Sequence, residues 1–387
     1  MEGFKQLYMP KIICGRGSCS FLPTLGRKRI GVLGYDESVL SRIREVFQGQ
    51  EAQIRYLATI DHEPEIRDIF DNLEKVCQFQ PDLILAVGGG SVLDVAKGIH
   101  LFYENPELTF EDSLRPYSLP PLGSKALLAA VPTTSGTGSE TSSAAVFVEP
   151  KTRVKKLMLS NTLIPHYAVI DADLTDGLPR SVQIAGGLDA LCHAVEASIA
   201  KNSNVFTKAL ALEAALDILE NLPAAVDPNM EEETRKKARE KLHVAATMAG
   251  IAITNSCTGI VHSYDHPGPA FGLAHGITCG IMLSHAMRIT GPLPEYAVLA
   301  RRLGYVGDEE SLFKQLFVHI QKMNAALGIP NSFEAAGVDE EEYFERVPEW
   351  ARISLSAFAT QMSPIDMDEK KGERFYQYCY YREFSPL

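Results

Sequence analysis

Several short patterns that define common protein classes are missing from this sequence. Its seven cysteines are scattered and none forms a Cys-x-x-Cys pair, which excludes a zinc ribbon and a redox-active dithiol motif. The longest apolar runs, such as LILAVGGG, are well short of the roughly 20 residues of a membrane-spanning helix. The opening segment, MEGFKQLYMP, lacks the basic and then apolar layout of a secretory signal. We therefore expect a cytoplasmic protein whose cysteines are free and mostly buried.

Positive charge is also scarce. Lys and Arg number 37 against 49 Asp and Glu, so the net charge is −12. We do not expect so acidic a chain to bind nucleic acid or an anionic membrane surface, because both attract basic proteins. Hydrophobic residues make up 45% of the 387 residues, which is enough material for packed cores in two domains.

Strand-like and helical segments alternate in the first part of the chain. Strand-like composition is found in RIGVLGYD, EAQIRYL, DLILAVGGGS and KALLAAVPTT, and helical spacing in EPEIRDIFDNLEKVCQF and SVLDVAKGIHLFY. This alternation predicts a parallel sheet with helices on its faces.

The pattern changes after about residue 178. Helical periodicity or helix-favouring composition then dominates, as in VQIAGGLDALCHAVEASIA, NVFTKALALEAALDILENL and HGITCGIMLSHAM. The Gly and Pro of GLPRS (177–181) mark the boundary. We predict an α/β domain over residues 1–178 and an all-helical domain over residues 179–387, with the active site in the cleft between them.

Two loops rich in glycine and hydroxyl groups follow buried strands. LILAVGGGSVLDVAKG places three glycines before a helix that starts near Ser91, where free N–H groups and the helix dipole suit a phosphate. PTTSGTGSE (132–140) follows another strand. Each loop alone is compatible with an ordinary turn. Asp94 and Lys97, in the helix after the first loop, are compatible with a surface ion pair. Two such loops at the carboxyl edge of one parallel sheet favour a nucleotide site.

Asp36 ends the first recognisable strand, RIGVLGYD. An acid at this place in a dinucleotide-binding fold accepts hydrogen bonds from ribose hydroxyls and repels a 2′-phosphate, which favours NAD over NADP. A competing interpretation makes Asp36 the cap of the helix that begins in ESVLSRI.

Acidic and imidazole side chains recur in the helical half. Asp189 and His193 are four residues apart in GGLDALCHAVEA, so both project from one face of a helix. His262 and His266 repeat that spacing in GIVHSYDHPGPAFGLAHGI, which also contains His275. Polar residues on an exposed face are the alternative explanation for a single pair. One carboxylate with several imidazoles suits Zn²⁺ or Fe²⁺.

Taken together, GGGSVLDVAKG, PTTSGTGSE, DALCHAVEA and HSYDHPGPAFGLAHG resemble the iron-dependent (group III) alcohol dehydrogenase family in order and spacing. The resemblance implies a Rossmann-like NAD(P) domain followed by a helical domain that holds one divalent metal ion. Iron is favoured by the resemblance alone, and zinc is the alternative. The implied ligands are Asp189, His193, His262 and His275.

The resemblance also implies cofactor and substrate residues. His266 corresponds to a histidine near the substrate, which makes it a candidate proton relay, with a plain pocket wall as the alternative. Contacts to the cofactor are implied for Gly89, Gly90, Ser91, Asp94, Thr133, Thr134, Thr137 and Lys155, in addition to Asp36, which the strand pattern alone suggests. Because Lys156 adjoins Lys155, the assignment of Lys155 is open by one residue.

The resemblance implies hydride transfer between the nicotinamide C4 and a small primary alcohol or aldehyde whose oxygen the metal polarises. It also implies a homodimer or a larger homo-oligomer. The alternatives are a polyol dehydrogenase of the same fold, a lyase similar to the dehydroquinate synthases, and a metal-dependent hydrolase. A hydrolase would leave the two glycine-rich loops without a role. The chain departs from the family at LSH (283–285), where a proline is frequent, and at Asp265. The C-terminal region departs too, which leaves the substrate open.

Overall fold

The segments with strand-like composition do form strands, because their Val, Ile, Leu and Ala side chains suit a sheet that is buried on both faces. The computed structural model describes residues 6–149 and 155–381. Its strands are β1 (Lys11–Cys14), β2 (Arg29–Gly34), β3 (Gln53–Thr59), β4 (Leu83–Gly88), β5 (Leu127–Pro132), β6 (Ala144–Val148), β7 (Lys155–Leu159) and β8 (Tyr167–Ile170).

Within the described residues, six strands form one parallel sheet in the order β1-β8-β5-β4-β2-β3, and β6 pairs with β7 in an antiparallel ribbon. Val87 of the central strand β4 is opposite Gly34 on one side and Val131 on the other. The chain leaves β2 towards β3 at one edge, and leaves β4 towards β5 on the other side. The carboxyl ends of β2 and β4 are therefore the switch point, where open α/β sheets bind their ligands.

Helices cover both faces of this sheet. They are α1 (Ser38–Val46), α2 (Ile66–Phe79), α3 (Gly90–Glu104) and the short α4 (Phe110–Ser113). Along β4, Ile84 and Ala86 pack into the core formed with α2 and α3, whereas Leu83, Leu85 and Val87 pack into the core formed with α1. This alternation follows from the two-residue period of a strand.

Helices make up the regular structure of the described residues from 178 to 381. They are α5 (Arg180–Ile199), α6 (Val205–Val226), α7 (Glu232–Thr254), α8 (Ile260–Ser263), α9 (Pro267–Ala270), α10 (His275–Thr290), α11 (Pro294–Arg302), α12 (Glu309–Leu327), α13 (Glu340–Ser356), α14 (Phe358–Met362) and α15 (Glu369–Tyr380). One core joins these helices, with Leu188 of α5, Leu219 of α6 and Ile281 of α10 among its buried members. The predicted fold class, a parallel-sheet unit followed by a helical unit, is confirmed.

The described residues form two compact units that divide after Gly177, next to the boundary that the sequence predicts at residue 178. In the part of the chain that the structure describes, every helix is too short or too polar to cross a membrane.

Candidate metal centre and nucleotide-binding loops

Helix α5 carries Asp189 and His193 on one face, as their spacing predicts. Both side chains are buried, and His193 Nε2 lies 3.7 Å from Asp189 Oδ1. The helix is built largely from Ala, Leu and Val, so these two polar groups are placed inside an apolar core. Such a placement costs free energy unless the groups are paired or bind a metal ion.

Two further histidines reach the same carboxylate from other helices. His262 lies on the short α8 and His275 is the first residue of α10, and the Nε2 atom of each is 3.3 Å from Asp189 Oδ1. Four ligands in a tetrahedron around an ion at about 2.1 Å lie about 3.4 Å apart. The three imidazole Nε2 atoms therefore lie at about the distance from Asp189 Oδ1 that separates two ligands of one divalent ion.

The protonation of two of these groups suits metal binding. Burial opposes ionisation of Asp189, but the neighbouring His193 and His275 hold the pKa of its carboxyl well below the usual range. Burial lowers the pKa of His193 to about 4. At neutral pH Asp189 is thus a carboxylate and His193 an uncharged imidazole, which are the forms of these two groups that bind metal ions.

Two carboxylates behind the histidines escaped the sequence analysis as functional groups. Glu196 Oε2 accepts a hydrogen bond from His262 Nδ1 at 2.5 Å, and Asp265 Oδ2 lies 3.0 Å from His275 Nδ1. Glu196 shares a helix face with Asp189 and His193, since it follows them by seven and three residues. That periodicity is a signal from which Glu196 could have been found.

Cys279 is a third group that the sequence analysis did not assign to the site. Its Sγ atom lies 3.6 Å from His275 Nε2, one helical turn along α10. Asp189, His262, His275 and Cys279 together place one potential ligand atom each within 4.8 Å of one another. Cys192 is buried and donates a hydrogen bond from Sγ to the Cys279 carbonyl.

His266 does not share a helix face with His262. Helix α8 ends at Ser263, and His266 is the residue before α9, so the four-residue spacing does not place both imidazoles on one helix. The ring of His266 stacks on Trp350, with 6.3 Å between centroids. Trp350 also meets Phe271 edge to face at 6.3 Å.

The two loops that we predicted to bind a nucleotide are in contact. Gly89 caps α3 and Gly90 begins it. A Cβ atom on Gly90 would lie 2.8 Å from Thr137 Cγ2, and one on Gly89 would lie 3.4 Å from Thr134. At the root of the second loop, the Thr133 N–H donates to the Gly88 carbonyl at 3.0 Å. The glycines therefore allow the second loop to lie directly against the start of α3, whose first turn contains Ser91.

Asp94 and Lys97 do not form a surface ion pair. Lys97 is completely buried, and its Nζ donates to Ser139 Oγ at 3.0 Å and to the Ala144 carbonyl at 2.7 Å. Asp94 accepts hydrogen bonds from Ser139 Oγ and the Val146 N–H. Burial lowers the pKa of Lys97 to about 8, so the amine is still protonated at pH 7. The pair ties α3 to the second loop.

Asp36 makes the contact expected of a helix cap. Its Oδ1 accepts a hydrogen bond from the Ser38 N–H at 2.6 Å, at the start of α1. The side chain is exposed at the carboxyl end of β2, which is the side of the sheet where a ribose would bind. Lys155 is exposed and begins β7, where it pairs with Val148.

Comparison with known proteins identifies the family to which this chain is similar. Residues 10–172 match the model of the iron-containing alcohol dehydrogenases, and residues 183–379 match the C-terminal model of the Fe-containing alcohol dehydrogenase family. The NADPH-dependent butanol dehydrogenase of Clostridium saccharobutylicum is 30% identical over 96% of both chains. An alcohol dehydrogenase of Thermococcus barophilus is 32% identical over 96% of this chain and 98% of its own.

Solved structures agree as well. The iron-containing alcohol dehydrogenase of Thermococcus thioreducens superposes with a TM-score of 0.88 at 30% identity, covering 98% of this chain and all of that one. A 1,3-propanediol oxidoreductase gives a TM-score of 0.86 at 26% identity, with the same coverage.

These observations define a metal- and nucleotide-dependent oxidoreductase of alcohols and aldehydes. The chain belongs to the iron-containing alcohol dehydrogenase family. Membership confirms the enzyme class, the small-molecule alcohol or aldehyde substrate, and the cofactors NAD(P) and a divalent metal ion that the resemblance implied. It does not favour the lyase alternative.

Proposed function

We propose that Asp189, His193, His262 and His275 hold one divalent metal ion, Fe²⁺ with Zn²⁺ as the alternative, and that the chain interconverts a small primary alcohol and its aldehyde. The observation that carries this proposal is the convergence of three imidazole Nε2 atoms on Asp189 Oδ1 at 3.3, 3.3 and 3.7 Å. One shared cation would bind this buried carboxylate and all three imidazoles at once.

A divalent ion in this site supplies Lewis-acid polarisation of the substrate oxygen. Helices α5, α8 and α10 hold the four proposed ligands in place. His266 is our candidate for the proton relay, because an imidazole titrates near neutrality. The His266 ring stacks on Trp350, which also contacts Phe271, so aromatic side chains line one side of the proposed relay. A wall of this kind suits a small, uncharged substrate.

For the nucleotide, we propose that the backbone N–H groups at the start of α3 hold the pyrophosphate. Gly89, Gly90 and Ser91 form that start, and helix N-termini attract phosphates through their free N–H groups and dipole. Further contacts are proposed for Thr133, Thr134, Thr137 and Lys155. Asp94 is proposed to act by holding the second loop, because Ser139 and the Val146 N–H occupy its carboxylate.

We propose NAD rather than NADP as the nucleotide. The support is Asp36, whose exposed carboxylate at the end of β2 would accept from ribose hydroxyls and repel a 2′-phosphate. One carboxylate oxygen caps α1 and leaves the other for a ribose. The butanol dehydrogenase relative is named for NADPH, so the two nucleotides have to be compared directly.

The test is metal-dependent turnover. The chain would be purified without a metal-chelating tag, its metal measured by elemental analysis, and NADH and NADPH oxidation followed at 340 nm with a panel of aldehydes and added Fe²⁺ or Zn²⁺. We expect one metal ion per chain and faster oxidation of NADH. His193→Ala should lose both metal and turnover. Metal retained at wild-type stoichiometry in His193→Ala would refute the ligand assignment.

We also propose a homodimer or larger homo-oligomer in the cytoplasm. The oligomer is supported by the family resemblance, and light scattering after gel filtration would test it. The location is supported by the cysteines, all seven of which lie in the described ranges and are free thiols, as is usual in a reducing compartment. Fractionation of the source cells would test it.

A further inference from the structure

Two carboxylates outside the proposed ligand set contact its histidines from behind. Glu196 Oε2 is 2.5 Å from His262 Nδ1, and Asp265 Oδ2 is 3.0 Å from His275 Nδ1. In both rings the opposite nitrogen, Nε2, is 3.3 Å from Asp189 Oδ1. Each imidazole is thus held between a carboxylate on one nitrogen and the metal-binding position on the other.

When a metal ion occupies the position between Nε2 and Asp189, the carboxylate behind each ring determines which nitrogen carries the proton. An ionised carboxylate can only accept a hydrogen bond, so the nitrogen that faces it must be the N–H donor. With the proton on Nδ1, a neutral imidazole has its lone pair on Nε2 and aims it at the position shared with Asp189. An imidazole with the opposite tautomer would present N–H to the ion and could not bind it.

Glu196 is anchored at both oxygens. Its Oε1 accepts a hydrogen bond from the Val261 N–H at 2.6 Å, in the residue before His262. The side chain is only 4% exposed. The missing side chain of Gly259 makes room for it, since a Cβ atom there would lie 3.0 Å from Oε1. Glu196 therefore fixes the backbone of α8 as well as the ring that α8 carries.

Asp265 is the more solvated of the two carboxylates. The side chain of its partner His275 is 42% exposed, against 12% for His262. Water can replace part of a hydrogen bond that is open to solvent, but not one in a dry interior. The His275 tautomer should therefore depend less on Asp265 than the His262 tautomer depends on Glu196.

We propose that Glu196 and Asp265 are positioning residues that fix the metal-binding tautomers of His262 and His275. The inference rests on the proposed function, because it takes both histidines as ligands. Neither carboxylate belongs to the proposed ligand set, and each acts through the ring that it orients. Partners of this kind typically contribute about 10- to 100-fold to metal affinity.

The test is Co²⁺ binding by the metal-free, full-length chain, measured by visible absorption and by competition with a chelator. In Glu196→Gln, the amide oxygen can accept from Val261, which leaves the NH₂ group facing His262 Nδ1 and favours the wrong tautomer. We expect Co²⁺ to bind about 10- to 100-fold more weakly, with an altered absorption band. Asp265→Asn should show a smaller loss.

The matched control is Glu104→Gln. Glu104 is a buried carboxylate in the other unit, and it accepts hydrogen bonds from the Ser124, Lys125 and Ala126 N–H groups. This variant should melt at a lower temperature but keep wild-type Co²⁺ affinity and absorption. A melting curve of each metal-free variant separates unfolding from loss of the site, and Asp265→Asn keeps the test available if Glu196→Gln does not fold.

Wild-type Co²⁺ affinity and an unchanged band in both Glu196→Gln and Asp265→Asn would overturn this inference and leave the proposed ligand set intact. An equal loss of affinity in Glu104→Gln would also overturn it, because the effect would then be general destabilisation. Failure of the wild-type chain to bind Co²⁺, Zn²⁺ or Fe²⁺ would overturn the proposed function itself.

Discussion

A Cβ atom added to Gly276 would lie 1.8 Å from the carbonyl oxygen of Ala185. Helix α10 thus starts in direct contact with the backbone of α5, at a distance that only glycine permits. His275 is the neighbour of Gly276, and Ala185 is one helical turn before Asp189. This contact brings the imidazole of α10 to the carboxylate of α5.

The first prediction is that Gly276→Ala destroys the metal site. The methyl group cannot fit against a carbonyl oxygen, so α10 must move away from α5 and carry His275 with it. We expect at least about a tenfold loss of metal affinity, measured by elemental analysis and chelator competition. Gly280→Ala is the control on the same helix. Its Cβ would lie 2.6 Å from Cδ1 of Leu188, which is the end of a side chain and not a backbone atom.

Gly280→Ala should cost about 1–3 kcal/mol of stability and keep its metal. If Gly276→Ala bound metal as tightly as Gly280→Ala, the close contact between the two helices would have no role in the site.

The second prediction concerns the nucleotide. In Gly90→Ala the new methyl group would press on Thr137, 2.8 Å away, and displace the second loop from the start of α3. The NADH dissociation constant, measured by fluorescence, should rise about tenfold or more, equivalent to about 1.4 kcal/mol, while the metal content stays unchanged. Gly177→Ala is the control, since nothing lies within 4 Å of its Cβ position. If Gly90→Ala bound NADH as tightly as Gly177→Ala and the wild type do, these loops would be excluded as the nucleotide site.

The third prediction is that the buried pair beneath the loops is needed for stability. Lys97→Met removes the cation next to Asp94 and leaves that carboxylate buried without its countercharge, at an expected cost of about 3–5 kcal/mol. The double variant Asp94→Asn, Lys97→Met removes both charges and should be more stable than Lys97→Met alone. Urea denaturation would measure both. A single variant as stable as the wild type would contradict the prediction.

The fourth prediction concerns acid stability. Burial lowers the pKa of His285 to about 4, and its Nε2 donates to the Asn331 carbonyl at 2.8 Å. Because the unfolded chain binds a proton near pH 6.5 and the folded chain only near pH 4, the unfolded state gains protons first and stability falls as the pH drops through this window. The contribution is fully present above pH 6.5.

Between pH 7 and pH 5 the metal-free wild type should lose about 2 kcal/mol more free energy of unfolding than His285→Gln. Urea denaturation at both pH values measures this difference. Identical pH dependence in the two proteins would show that His285 has the same pKa in the folded and the unfolded chain.

The parts of the site that follow local periodicity could be predicted from the sequence. Asp189 and His193 share a helix, so a four-residue spacing places them together whatever surrounds them. The same spacing was misleading for His262 and His266, because α8 ends between them at Ser263. Residue spacing alone does not show where a helix ends, and here α8 ends just before the segment Tyr-Asp-His-Pro.

The contacts that join distant segments could not be predicted in this way. Asp94 and Lys97 have the spacing of an ordinary surface pair, and only the packing of the second loop over α3 buries them. Glu196 meets His262 because α8 packs on α5. Asp265 stood out only as a departure from the family pattern, and its contact with His275 joins residues ten positions apart that share no helix.

The pairing of β1 with β8 has a consequence for folding during synthesis on the ribosome. Lys11–Cys14 lie beside Tyr167–Ile170, and Arg16 forms an ion pair with Asp173 just beyond. β1, which comes first in chain order among the strands of this sheet, must therefore wait for β8, which comes last. Synthesis proceeds at about 5–20 residues per second, so β1 stays unpaired for many seconds. During this time its apolar Ile12 and Ile13 are accessible to chaperones.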